Sequence, residues 1–232
     1  MSLELVVPKP IPDVYPRFPR DGCVLDLDMQ DTGAKLIDHS GFFNDGTNFG
    51  STPVAGPNGW VRSFDGVDDF IQIPDSPSIR SWPNGITVGA CVKSNTELWN
   101  ADGMLVSKRY HFILHPFANS KTITFFIFDG LYRGVNAILS EDIRNWHHYV
   151  GTYSVNGFLC FYVDGKLRAG PAGPTGTIAI ETGIMAIGWD RGMVGRHLNG
   201  FIGQVHIYNR ALSAAEIEQI FREEGWKYGI AS

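Results

Sequence analysis

The sequence predicts an all-β chain: a two-sheet antiparallel jelly-roll sandwich with one short C-terminal helix and an extended proline-rich N-terminal arm. Three observations lead there. Apolar and polar residues alternate in short runs, the period of a pleated strand with one buried face. The runs are separated by turn chemistry such as Asp38-His39-Ser40-Gly41 and Asn44-Asp45-Gly46. The last third reads strand, tight turn, strand, then one helix, an order that places the helix after the sheets.

The 232 residues suit one domain. We place an arm at residues 1–21 and the jelly-roll domain at 22–232. In the arm, Pro8, Pro10, Pro12, Pro16 and Pro19 forbid helix and central strand and favour extended chain. Val6, Val7, Ile11, Val14, Tyr15 and Phe18 give it apolar groups that a solvated linker does not need, so it is expected to lie on its own domain or on a neighbour.

The first strand begins at Cys23, with Val24, Leu25 and Leu27 alternating with Asp26 and Asp28. Ser63 to Pro74 is read as a hairpin turning at Asp65-Gly66. Further strands are expected at 86–93, 105–107, 110–114, 122–128, 146–153, 158–163, 184–188 and 201–208. The 122–128 segment is apolar on both sides of its pleat, so both of its faces should be covered. The helix is expected over 213–224. Ser213 and Glu216 have capping-box spacing, and Ile217, Ile220 and Phe221 form one apolar stripe. Gly225 is the expected stop.

Composition excludes several functions. The net charge is −5, with no run of three Lys or Arg, so no nucleic-acid footprint is present. No segment nears the roughly 20 apolar residues of a membrane span. The chain reads as soluble and without a recognisable signal peptide. Cys23, Cys91 and Cys160 are an odd count, read as buried free thiols, with one disulfide plus one thiol left open.

These residues resemble the laminin G-like, concanavalin A-like lectin/glucanase jelly-roll family over roughly 22–224. The series is Asp38-His39-Ser40-Gly41 with Asn44-Asp45-Gly46-Thr47, then Ser63 to Phe70, then Ile86 to Lys93 with Cys91 where Trp is usual. Trp146-His147-His148, Tyr162-Val163-Asp164-Gly165 and Ile207 to Ser213 complete it. The resemblance implies a binding module, with glycan hydrolysis in some relatives and a calcium ion near the sandwich edge in many. Where the family commonly reads Ile-Asp-Glu-Val, this chain has Ile202-Gly203-Gln204-Val205, which removes two carboxylates.

Several side-chain groups bear on function. Glycosidases need two carboxylates at a set separation, and no strand here carries such a pair. Glu141 and Asp142 are adjacent and project oppositely, while Glu216, Glu218, Glu223 and Glu224 belong to the helix. His147 and His148 point to opposite faces, one packed and one exposed, and do not chelate one ion. Asp26, Asp28, Asp65, Asp68 and Asp69 are oxygen ligands of the kind Ca²⁺ takes, with backbone-capping turns as the alternative.

Trp99, Tyr110, Tyr132 and Trp189, with Asn100, Arg109, Asp190 and Arg191, have the residue types of a sugar platform, Trp99-Asn100 and Trp189-Asp190-Arg191 on loops, with rings serving as core or hydrophobic loop anchors as the alternative. The first expectation is therefore a non-catalytic lectin-like binding or adhesion module for surface carbohydrate. The alternative is a structural decoration or appendage subunit of a virion or other large assembly, forming homo-oligomers through its arm. A glycan-processing enzyme is the weakest reading.

Overall fold

The structure is a computed structural model that describes residues 19–102, 105–155, 157–173 and 176–230. The arm expected at 1–21 falls almost wholly outside these residues. In chain order the strands are β1 (Cys23–Leu27), β2 (Lys35–Leu36), β3 (Gly46–Phe49), β4 (Thr52–Gly56), β5 (Gly59–Asp65), β6 (Phe70–Ile73), β7 (Gly85–Ser94) and β8 (Val106–Lys108). They continue with β9 (Phe112–Pro116), β10 (Thr122–Phe128), β11 (Tyr132–Ile138), β12 (His147–Ser154), β13 (Leu159–Val163), β14 (Lys166–Ala172), β15 (Met185–Ile187) and β16 (Asn199–Tyr208). Helix α1 (Ala214–Gly225) follows.

The strands form two sheets. The first runs β14-β13-β12-β7-β16-β5-β4, with β1 also on β16; the second runs β11-β10-β9-β8-β15-β6-β3-β2. Every pairing is antiparallel. Between the sheets lies one apolar layer. Val88, Ala90, Tyr149, Phe161, Val205 and Ile207 of the first sheet meet Ile71, Ile73, Val106, Leu114, Phe125 and Ile187 of the second. The period-2 alternation predicted this inner face.

The Ser63–Pro74 segment is a correction. β5 and β6 do not pair; they lie in different sheets, so Asp65-Gly66 begins a crossover and not a hairpin. Pairing partners a long way off in sequence decide this, and local turn chemistry carries no information about them.

The outer face of the first sheet is covered. Ser213 accepts the Glu216 amide N–H and Glu216 reaches back to the Ser213 amide, completing the capping box. Ile217 and Ile220 then pack against Val150, Tyr162, Tyr208 and Leu212. The chain does not stop at Gly225, which has helical φ; it continues as a 3₁₀ turn (Trp226–Tyr228) that ends at Gly229, φ 71°. That extra turn carries Tyr228 onto Gly203, where any Cβ would overlap the phenol ring. The departure from the family pattern is thus structural: Gly203 admits Tyr228, and the neighbouring Gln204 amide donates to Asp26 at 2.8 Å.

His147 and His148 are both buried, against the expectation of one exposed ring. His147 faces Asp164 at 2.7 Å, and α1 closes over His148. All three cysteines are free. Among the described residues no helix is long and apolar enough to cross a membrane.

Gly203→Ala is expected to lower stability by about 1–3 kcal/mol through overpacking against Tyr228. Urea denaturation measures it, and Gly203→Ala in a Tyr228→Leu background should cost much less.

Candidate functional site

Among the described residues no helix packs on the outer face of the second sheet. Pairing aligns Thr47, Gln72, Ala186, Ser107, Ile113, Phe126 and Gly134 in a single row across seven strands. Their sequence neighbours point the other way into the core. His115, Thr124 and Asn136 form the adjacent row.

The loop 189–197 roofs the middle of this face. Trp189 and His197 bridge its base. Ser107 Oγ donates to the Trp189 carbonyl at 2.9 Å and accepts the Arg191 N–H at 3.2 Å. Trp189 Nε1 donates to the Met193 carbonyl at 2.9 Å. Asp190 turns inward with no exposed surface, where Arg196 donates to it at 2.7 Å and Arg109 stands 3.5 Å away. Burial raises the Asp190 pKa, and the two arginines oppose that rise. Under this roof Ser107, Ile113, Thr124 and Ala186 are buried, as is His115, whose Nδ1 has no hydrogen-bond partner and whose pKa burial lowers.

Aromatic rings flank the roof on both sides. On one side Phe49 stacks on Phe70 at 4.7 Å, Phe70 meets Trp189 at 5.0 Å, and Trp189 lies parallel to His197 at 5.6 Å. On the other side Phe126 and Phe128 contact Tyr132 at 5.9 and 5.0 Å. Tyr110 packs on Phe128 at 5.4 Å and lies near-parallel to Tyr132 at 6.4 Å. Tyr110 takes a left-handed φ of 66°, and its N–H donates to Tyr132 Oη at 3.2 Å. Phe49, Tyr110 and Tyr132 are 42%, 51% and 38% exposed, so rings on both flanks reach solvent. Phe126 and Phe128 are only half-buried, so β10 is not covered on both faces as its sequence implied.

The sequence-derived platform divides into three groups. Arg109, Tyr132, Trp189 and Arg191 all lie at this face but not in one cluster: Trp189 and Arg191 belong to the loop, Arg109 reaches its Asp190, and Tyr132 stands with Tyr110 on one flank; Arg191 is held by Glu181 at 3.2 Å. Asn100 and Asp190 are braces. Asn100 donates to the His197 carbonyl at 2.8 Å and accepts the Asn199 N–H at 3.0 Å, which secures the end of the loop. Trp99 is a correction: it is 1% exposed and sits edge-on to Tyr149 in the core, out of reach of a ligand. Phe49, Phe70, Phe126, Phe128 and His197 were missed. The alternation of Phe70 and Gln72 with Ile71 and Ile73 was the available signal for Phe70.

The carboxylates proposed for calcium separate as well. Asp26 is buried against Arg20, Gln204 and His206, and Asp28 caps the Gln30 N–H, so neither joins the others. Asp65, Asp68 and Asp69 do converge, with one oxygen of each within 4.8 Å of the others. Asp65 Oδ1 already accepts the Val67 N–H and Asp69 Oδ2 the Asp65 N–H, the turn-capping alternative. Burial raises the Asp69 pKa against the Asp65 N–H bond, and the Asp65 and Asp68 charges add to the rise. The donor set fits a hard cation only through its remaining oxygens.

A family model, that of the concanavalin A-like lectin/glucanases superfamily, matches residues 65–218. The chain belongs to this superfamily. No curated protein sequence matches it significantly. Among solved structures it is similar to the binding domain of Paraclostridial Mosquitocidal Protein 1, with TM-score 0.70 and 17% identity, over 88% of this chain and 52% of that one. It is also similar to the binding domain of botulinum neurotoxin DC in two complexes, with rat synaptotagmin II and with SialylT. Each has TM-score 0.68 and 14% identity over 88% of this chain and 52% of that one. The chain therefore spans about half the length of these neighbours. At such identities the likeness is one of fold, and the superfamily includes lectins and glucanases alike.

Asp190→Asn should lower stability by about 2 kcal/mol, the scale of a buried charge-assisted hydrogen bond. In hydrogen exchange the loss should appear first in the amides of 189–197.

Proposed function

We propose that this chain is a non-catalytic carbohydrate-binding module that takes glycan against the outer face of the second sheet, beside the 189–197 loop. One observation carries the reading: solvent-reaching rings flank that loop on both sides, and beside it Arg109 is held near Asp190 and Arg191 near Glu181. Aromatic faces stack on the C–H faces of sugars, and guanidinium forks bond vicinal hydroxyls or a carboxylate. Neighbouring folds captured with SialylT and with rat synaptotagmin II are consistent with a recognition role.

Binding is favoured over hydrolysis by the state of the carboxylates. Asp190 is sealed beneath the loop by two arginines, and Glu181 is paired with Arg191. A glycosidase needs one carboxyl able to donate a proton to substrate and a second on the opposite side of the bond.

The structural-subunit reading draws on a different surface. The turn at 39–45 presents Phe42 and Phe43, the latter 83% exposed at a φ of 59°. Asp38 braces the turn by accepting the N–H groups of Asp26, Ser40 and Asn44. Such a preformed aromatic tip suits a protein partner.

The test is isothermal titration with a sialylated oligosaccharide and with a neutral β-glucan oligosaccharide, guided by a glycan array. Tyr132→Ala and Trp189→Ala should each weaken binding at least tenfold, and Phe43→Ser should leave it unchanged. Binding unaffected by both ring removals would reject this face as the site.

A further inference from the structure

The outer face of the first sheet holds a set of buried charges that glycan binding does not use. Helix α1 brings Glu224 down onto His206, with Oε2 2.6 Å from Nε2. On the far side of the same imidazole, Asp26 lies 3.4 Å from Nδ1. Asp26 is in turn held by Arg20 at 2.7 Å and Gln204 at 2.8 Å, and Lys227 stands 4.0 Å from Glu224. Asp26, His206 and Glu224 are each at least 97% buried.

Beside this array lies His148. It is 2% exposed, and neither ring nitrogen has a hydrogen-bond partner. Its ring lies nearly parallel to Phe221 of α1, 14° between planes and 6.3 Å between centroids. Such an imidazole is tolerated while neutral and costly once charged.

We propose that α1 is a proton-operated latch: it closes over a neutral His148, and protonation of His148 in mildly acidic solution lifts the helix from the sheet.

The surroundings explain why the proton finds no welcome with the latch closed. From α1, Glu224 faces the ring, but its carboxylate already serves His206 and Lys227. From β16 comes His206; about that imidazole and its Asp26 partner lie Tyr208 and Gln204 of β16 and Cys23 of β1. Cys91 of β7 pairs opposite His148, and Tyr162 of β13 packs under α1. Ahead of β1, Arg20 binds Asp26. Asp164, in the turn after β13, spends one oxygen on His147 Nδ1 and the other on the His148 N–H. The three cations Arg20, His206 and Lys227 thus already offset the three carboxylates Asp26, Glu224 and Asp164. A proton on His148 would add a cation to a balanced site.

The direction of the pH effect follows. Burial first, then the neighbouring His206 charge, depress His148 from 6.5 to about 4 despite the attraction of Glu224 and Asp164. An imidazole depressed when covered resists covering once pH falls below its free value of 6.5. The ion pair does not share this window. Burial pulls His206 down, but Glu224, Cys23 and Asp26 lift it to about 10, so it stays charged throughout acid, and its stabilising effect, full below 6.5, is lost as pH rises from there through about 10. Glu224 sits below its ordinary 4.5: burial raises it, and the His206 charge and hydrogen bond bring it lower. Its contribution fades only as pH falls below that value.

Hydrogen exchange by mass spectrometry on the full chain tests the latch, with rates corrected for intrinsic pH dependence. Opening of residues 214–225 should rise roughly fivefold to sevenfold per pH unit, about 40-fold in all, from 6.5 to 4.5. Residues 86–92 of β7 should rise far less. His148→Phe keeps the stack and cannot ionise, so its helix should lose most of this slope; His148→Leu serves if the phenylalanine variant does not fold. Glu224→Gln should open the helix already at pH 7. A slope unchanged by both His148 variants overturns the proposal. So does opening of helix and β7 in step, because His111 and His115 are also depressed by burial and would then be driving global unfolding.

Discussion

Two stacked sheets have four faces, and the closure of three decides what the fourth can do. The inner two meet through Tyr149, Phe161, Phe125, Leu114 and their neighbours. At the transfer value of about 25 cal/mol per Å², this layer is the main favourable term of the fold. The third face is closed by α1 and the turn behind it, through Ile217, Ile220 and Tyr228. Among the described residues the outer face of the second sheet is the one that no helix covers, and there the 189–197 loop narrows access to two aromatic flanks.

That arrangement depends on small residues as much as on large ones. Gly203 lets the Tyr228 ring lie directly on β16. Gly151, on the inner face of β12, lets the Phe125 ring of the opposite sheet approach a position where no Cβ fits. Close packing at these points leaves the rings little freedom. The loop uses the opposite device. Gly192 and Gly195 take φ of 78° and 70° with open space around them, which allows its sharp turn above the sheet.

Much of the fold was legible in the sequence because it depends on local periodicity. Strands such as β7, β12 and β16 declare themselves by alternation, and α1 by its cap and stripe. Pairing across the molecule was not legible, which is why the Asp65-Gly66 corner read as a hairpin when it is a crossover. The site was legible in part. Loop position pointed to Trp189 and Arg191, which lie on the 189–197 loop over the second sheet, with surroundings from strands distant in the chain. The same reasoning failed for Trp99, because a loop residue can turn inward and sequence does not record which way. Phe49 and His197 were invisible for a related reason: each acquires its role only by stacking on a ring brought from another strand. Glu224 was read as a helix-end acid, and its burial against His206 is a tertiary event.

The central claim is that this fold recognises its ligand with the one sheet face left uncovered. Amide chemical-shift mapping by NMR, with the tightest-binding oligosaccharide from a glycan array, tests it most directly. The account predicts that the perturbed amides lie in β9 to β11, at Phe49 and Phe70, and in residues 189–197. Perturbations confined to α1 and the strands beneath it, or to the turn at 39–45, would contradict it.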